Sequence, residues 1–150
     1  MSMKKMNTLS TKQATISYKE VDKTVTDTLL DFTVDGISLR ERAGLQLSTG
    51  LQDAFVQEEK RKYLKRLLGE LPPDLEDNRT ALYICPVDGD LECGAVGCQI
   101  DFQNDSVTWS DFDWNEVDSE EDAGIAELRS YTFDRQEYEA VIRRLLDKYR

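Results

Sequence analysis

Apolar residues recur along this chain with two periods, and the change from one to the other marks out its elements. From Ala14 to Val21 they alternate loosely, and from Thr28 to Val34 Leu30, Phe32 and Val34 share one face while Asp31 and Thr33 take the other. Both segments predict strands. Asp35-Gly36 supplies the two positive-φ residues of a tight hairpin turn, and Ile37 and Leu39 resume the alternation, so a hairpin from Thr28 to Glu41 is expected. The period then becomes helical. Phe55, Val56, Tyr63, Leu64, Leu67 and Leu68 fall on one helix face, with Ser48 or Thr49 as the starting cap, Gly69 as the end, and Leu71-Pro72-Pro73-Asp74 as the stop. Lys60, Arg61, Lys62, Lys65 and Arg66 complement the dipole of its second half and read as a solvated face.

Beyond the prolines, Ala81–Cys85, Ala95–Phe102 and Val107–Phe112 predict three strands, with Asn104-Asp105 turning between the last two. Ser130–Phe133 adds an edge strand. The clearest helix follows, where Asp134 caps, Glu137 completes a capping pattern, and Tyr138, Val141, Ile142, Leu145, Leu146 and Tyr149 repeat at helical spacing. The expected fold is α+β, an antiparallel sheet of hairpins with two helices packed on one face. Residues 1–13 are polar without periodicity and predict a flexible N-terminal segment, leaving residues 14–150 as one domain.

Composition narrows what such a domain can do. The chain of 150 residues has no histidine, which removes the usual general base near neutral pH, the commonest zinc ligand and the Ser-His and Cys-His nucleophile pairs. It has three cysteines, Cys85, Cys93 and Cys98, an odd number in one cluster, as in a reducing compartment. With no apolar run of roughly 20 residues and no signal peptide, a cytoplasmic protein without membrane contact is expected.

Charge changes the picture most. Between Thr80 and Leu128 lie thirteen acidic residues and no lysine or arginine, so this stretch carries −13, while the remainder holds 17 acids against all 19 bases. The whole excess of −11 is therefore local. Like charges this dense repel one another, and a basic partner would relieve the repulsion. Within the stretch, aromatics interleave with carboxylates as in protein interfaces, where rings anchor and charges steer. The expected partner-binding residues are Asp101, Asp105, Trp109, Asp111, Asp113, Trp114, Glu116, Asp118, Glu120, Glu121 and Asp122. The alternative is that alternate residues simply point inward and the acids line a wet loop.

Other chemistries fit less well. Asp111, Asp113, Asn115 and Asp122 occupy calcium-loop positions, but Glu116 stands where the sharp turn needs glycine. The spacing of Cys85, Cys93 and Cys98 lacks the Cys-x-x-Cys knuckles of a zinc site, so buried inert thiols are expected, with a metal- or thiol-dependent protein centred on these residues as the alternative. No cofactor is expected. A nucleic-acid mimic, its carboxylates standing in for phosphates, is a further alternative.

The segment LYICPVDGDLECGAVGCQIDFQNDSVTWSDFDW, Leu82 to Trp114, resembles a hairpin of small bacterial proteins with a pattern near CPxCGDxxCGA, from which it departs by carrying Asp88 in place of the second cysteine. That resemblance implies a bacterial origin and a hairpin, and brings no activity. By size, acidity and lack of catalytic apparatus the chain also resembles immunity proteins. That likeness implies a non-enzymatic inhibitor that masks the active site of a basic, nuclease-like toxin without contacting nucleic acid itself.

Overall fold

Two strands of twelve residues each, β1 (Leu9–Glu20) and β2 (Lys23–Val34), pair antiparallel from Leu9 opposite Val34 to Glu20 opposite Lys23. They belong to a computed structural model that describes residues 6–75, 77–87, 94–115 and 124–149. β1 starts at Leu9, not Ala14, because the polar segment before it is fastened. The Asn7 N–H donates to the Thr132 carbonyl at 2.7 Å, the Thr132 N–H returns a bond to Asn7 Oδ1 at 2.9 Å, and Asn7 Nδ2 reaches Asp35 Oδ2 at 2.7 Å. Part of the segment expected to be flexible is thus hydrogen-bonded into the fold from Asn7 onward.

Asp35 and Gly36 take φ of 53° and 83°, the turn expected of them, and pair Val34 with Ile37. The following strand β3 (Ile37–Ser38) is only two residues long. Ser38 ends it, since its hydroxyl oxygen accepts the Glu41 N–H at 3.1 Å and so caps the helical turn α1 (Leu39–Arg42). The strand expected to reach Glu41 stops there.

The second helix also departs from expectation. Ser48 and Thr49 form strand β4 (Ser48–Thr49), paired with Ile84 and Tyr83, and α2 (Gln57–Leu67) begins eight residues later without a side-chain cap. The reason is tertiary. Thr49 Oγ1 donates to the Leu30 carbonyl at 2.6 Å, and the backbone beyond it joins β2 through Leu30 N–H to Leu51 O at 3.2 Å and Asp53 N–H to Thr28 O at 2.8 Å. The helix ends as expected. Gly69, at φ 76°, donates to the Arg66 carbonyl while the Glu70 N–H reaches Lys65 O, the paired bonds of a left-handed cap. The basic cluster on α2 is only partly solvated, since Lys60 is buried, donates to the Asp53 carbonyl at 3.1 Å and lies 5.0 Å from the Tyr149 ring centre.

β5 (Thr80–Ile84), β6 (Ala95–Phe102), β7 (Ser106–Asn115) and β8 (Tyr131–Asp134) complete a five-stranded antiparallel sheet with the order β4-β5-β6-β7-β8. α3 (Arg135–Lys148) follows at once, capped by the Asp134 carboxylate on the Glu137 N–H at 3.0 Å. Asn7 links the three-stranded sheet to β8, and residues 51–53 link it to the segment after β4, so the two sheets join at both ends around one core. The fold class is α+β, as the pattern of elements indicates.

That core centres on Trp109. Its ring meets Phe32, Phe133 and Tyr138 edge-on, with centroids 6.0, 5.1 and 6.0 Å away. Its Nε1 donates to the Tyr138 hydroxyl at 3.2 Å, which donates in turn to the Leu67 carbonyl at 2.6 Å. Tyr138→Phe leaves both an indole N–H and a helix-end carbonyl without this partner, and is expected to cost about 1–3 kcal/mol in urea unfolding.

A second buried group is charged. Asp31 is fully buried on β2, receives the Ser38 hydroxyl at 2.5 Å and faces Arg40 Nε at 3.6 Å, yet its Oδ1 has no partner. Burial raises its carboxyl above the usual range, against the lowering by Ser38 and Arg40. The folded state therefore holds this proton more tightly than the unfolded chain. The stabilising effect of that proton is complete below the unfolded value near ~3.9 and is lost as pH rises through the folded one. Arg40→Met alone should cost about 3–5 kcal/mol at neutral pH by leaving the carboxylate uncompensated. Asp31→Asn/Arg40→Met should recover much of that loss and remove this component of the pH dependence of stability, checked by chemical denaturation between pH 4 and 8.

Candidate functional site

Strand parity decides which residues of the base-free stretch reach solvent. Across β6 and β7, Asp101 stands opposite Thr108, Gln99 opposite Ser110, and Gly97 opposite Asp113. These six share the outer face of the sheet, where Gln99, Asp101 and Asp113 are exposed. The intervening Val96, Cys98, Val107, Trp109 and Phe112 are buried in the core. Parity is kept only through a bulge, because three steps on β7 from Ser110 to Asp113 face two on β6 from Gln99 to Gly97. Asp111 lies in it at φ 56°, a conformation aspartate tolerates better than most residues.

Bases from outside the stretch fold onto it. Arg79, one residue before its start, donates Nη2 to Asp111 Oδ2, Nε to the Asp111 carbonyl and Nη1 to Asp77 Oδ2, each at 2.8 Å. Burial acts to lower the pKa of this guanidinium, but its hydrogen bond to Asp111 and the charges of Asp111, Asp113 and Asp77 outweigh it and raise the pKa. Three carboxylates thus surround one arginine, an arrangement net negative by two. At the other end of the strands Arg135 donates to the Gln103 carbonyl at 2.7 Å and lies 5.5 Å from the Phe102 ring centre. Asp101 accepts Gln103 Nε2 at 2.9 Å, and Asp105 is exposed in the turn.

The expected partner-binding residues therefore separate. Asp101, Asp105, Asp111 and Asp113 are exposed, Asp111 being already matched by Arg79. Trp109, expected to anchor a partner, is fully buried at the centre of the core, because the inward side of β7 is where an indole of that size loses most contact with water. Trp114 is half-buried against the core, with Nε1 buried and unpaired. Glu116, Asp118, Glu120, Glu121 and Asp122 lie outside the described residues, as does Cys93.

The cysteine expectation divides too. Cys98 is a buried free thiol, and desolvation pushes its pKa far up, partly opposed by the charge of Arg79. Cys85, expected as an inert thiol, is instead disulfide-bonded. Among the described residues no group of three or more histidine, cysteine, aspartate or glutamate side chains could hold a metal ion.

The outer face has an apolar end that the pattern of the chain did not reveal. Ala81 stands opposite Gly97 and Ile84 opposite Ala95, and Leu75 and Phe55 fold over them as a small second cluster. The small residues Ala81, Ala95 and Gly97 on one face were its only cue. Beside it a cavity of about 330 Å³ opens between this face and α2.

No protein-family model, curated protein or solved structure matches the chain. No described helix is long and apolar enough to cross a membrane. Alkylation followed by peptide mapping should modify Cys98 at least about 100-fold more slowly in the native protein than in urea, since only the thiolate reacts.

Proposed function

We propose that this chain is a non-enzymatic binding protein that recognises a basic protein partner through the outer face of its five-stranded sheet. The observation that carries the reading is the base-free stretch with its charge of −13, two of whose carboxylates, Asp101 and Asp113, stand outward on one sheet face. Carboxylates fixed on strands lose little freedom when they meet a partner, and their field speeds encounter with a positive surface. The finer reading is an immunity-type inhibitor that covers the basic active site of a nuclease-like toxin domain. The lack of histidine and the buried state of Cys98 support a role in recognition over one in catalysis.

The test takes a panel of basic bacterial nuclease domains, beginning with any found encoded beside this chain's gene. Stoichiometric loss of nuclease activity is expected on adding the protein. Asp101→Asn/Asp105→Asn/Asp113→Asn should slow association about tenfold at low salt and flatten its dependence on ionic strength. Association that is unchanged in rate and salt dependence would overturn the docking face, and failure to bind or inhibit any such domain would overturn the inhibitor reading.

A further inference from the structure

The cavity beside α2 is separate from the acidic end of the sheet and stands on its own observations. One stripe of α2, Glu59, Tyr63 and Arg66, forms a wall, since residues four and seven positions on return to the same helix face. Tyr63 is held rigidly. Its hydroxyl donates to the Leu82 carbonyl at 2.8 Å, and its ring lies against Gly50 so closely that a Cβ there would stand 2.2 Å from Cδ1. Phe55 and Ile84 supply apolar surface, and Val56 and Val87, at 67% and 40% exposure, are two of the five exposed large apolar side chains among the described residues. Apolar side chains left open beside a preformed cavity of this volume, near the lower end of the range of roughly 300–1,000 Å³ for small-molecule sites, suit a small ligand.

Its charged groups are incompletely matched. Arg66 Nε is buried without a hydrogen-bond partner, and Nη1 lies 3.9 Å from Asp74 Oδ2, too far for a hydrogen bond. Asp74 is held in place by the Ala81 N–H on Oδ1 at 2.9 Å, and Glu59 adds a second carboxylate that also faces Lys62 at 3.7 Å. A simple anion here would meet two carboxylates. A simple cation would leave Arg66 unsatisfied, and an uncharged apolar molecule would cover Arg66, whose contact with Asp74 is too long for a hydrogen bond, without giving it a better partner.

We propose that this cavity binds a small zwitterion with an apolar side chain, the pattern of a free apolar α-amino acid. Its carboxylate pairs with Arg66, its ammonium with Asp74 and Glu59, and its side chain packs on Phe55, Val56, Ile84 and Val87. Arg66 and Asp74 stand only 3.9 Å apart, so the two charges of the ligand must be carried by one carbon atom, which a peptide N-terminus does not offer.

Calorimetric titration of the full chain with L-phenylalanine and L-leucine tests this, alongside 2-phenylethylamine and 3-phenylpropanoate, each of which lacks one charge. Saturable one-to-one binding of at least one amino acid is expected, with both truncated analogues at least about tenfold weaker than phenylalanine. Arg66→Met should abolish the preference for phenylalanine over phenylethylamine. Should that variant not fold, Glu59→Gln at the exposed rim should weaken phenylalanine and phenylethylamine and leave phenylpropanoate unaffected. No saturable binding of either amino acid up to about 10 mM, or phenylethylamine binding as tightly as phenylalanine, would overturn the proposal. Neither result bears on recognition of a basic protein at Asp101 and Asp113.

Discussion

The Tyr138 hydroxyl, accepting from the Trp109 indole and donating to the Leu67 carbonyl, is the joint on which the rest of the structure depends. It ties β7, α3 and the end of α2 together through one atom. Trp109 also packs edge-on against Phe32 of the other sheet, Phe133 of β8 and Tyr138 of α3, so both sheets and α3 meet at one side chain, with the end of α2 one hydrogen bond further on. The position of that indole then sets the phase of β7. With Trp109 inward, Thr108 and Ser110 must face out, and the bulge at Asp111 restores the phase so that Phe112 is buried and Asp113 exposed. The outward carboxylate is thus a consequence of core packing.

Elements defined by their own residues were legible in the chain. α3 combines a continuous apolar stripe with a capping aspartate, and the turn at Asp35-Gly36 needs only two residues able to adopt positive φ. Ser48 and Thr49 were not legible, because the residue types that cap helices also serve in strands whose hydroxyls have a buried acceptor. The Leu30 carbonyl, nineteen residues earlier, decides between the two. Ser38 shows the reverse, ending an apparent strand by capping a helical turn.

The candidate site was half legible for a similar reason. The base-free charge of the stretch is plain in the chain, but Arg79 and Arg135 flank its two ends and fold back onto it, so the local field is weaker than the count implies. Aromatic interleaving suggested anchors at a surface. A single inserted residue in β7 fixes which rings face the core, and nothing in the alternation of residues marks where that insertion falls. The cavity beside α2 was hidden altogether, because its walls come from a helix, a strand and the chain before the helix, and only packing assembles them.

The bond between Asn7 and Thr132 joins positions 125 residues apart. Closing so long a loop is entropically expensive until the intervening elements are compact, and it contributes little before they are. The β1–β2 hairpin and α3 can form locally, whereas the union of the two sheets at β8 has to wait until residues 131–134 have been made. During synthesis the N-terminal hairpin therefore emerges well before its second partner strand exists. Completion of the fold is set by when β8 and the α3 helix behind it arrive, not by how fast any single element forms.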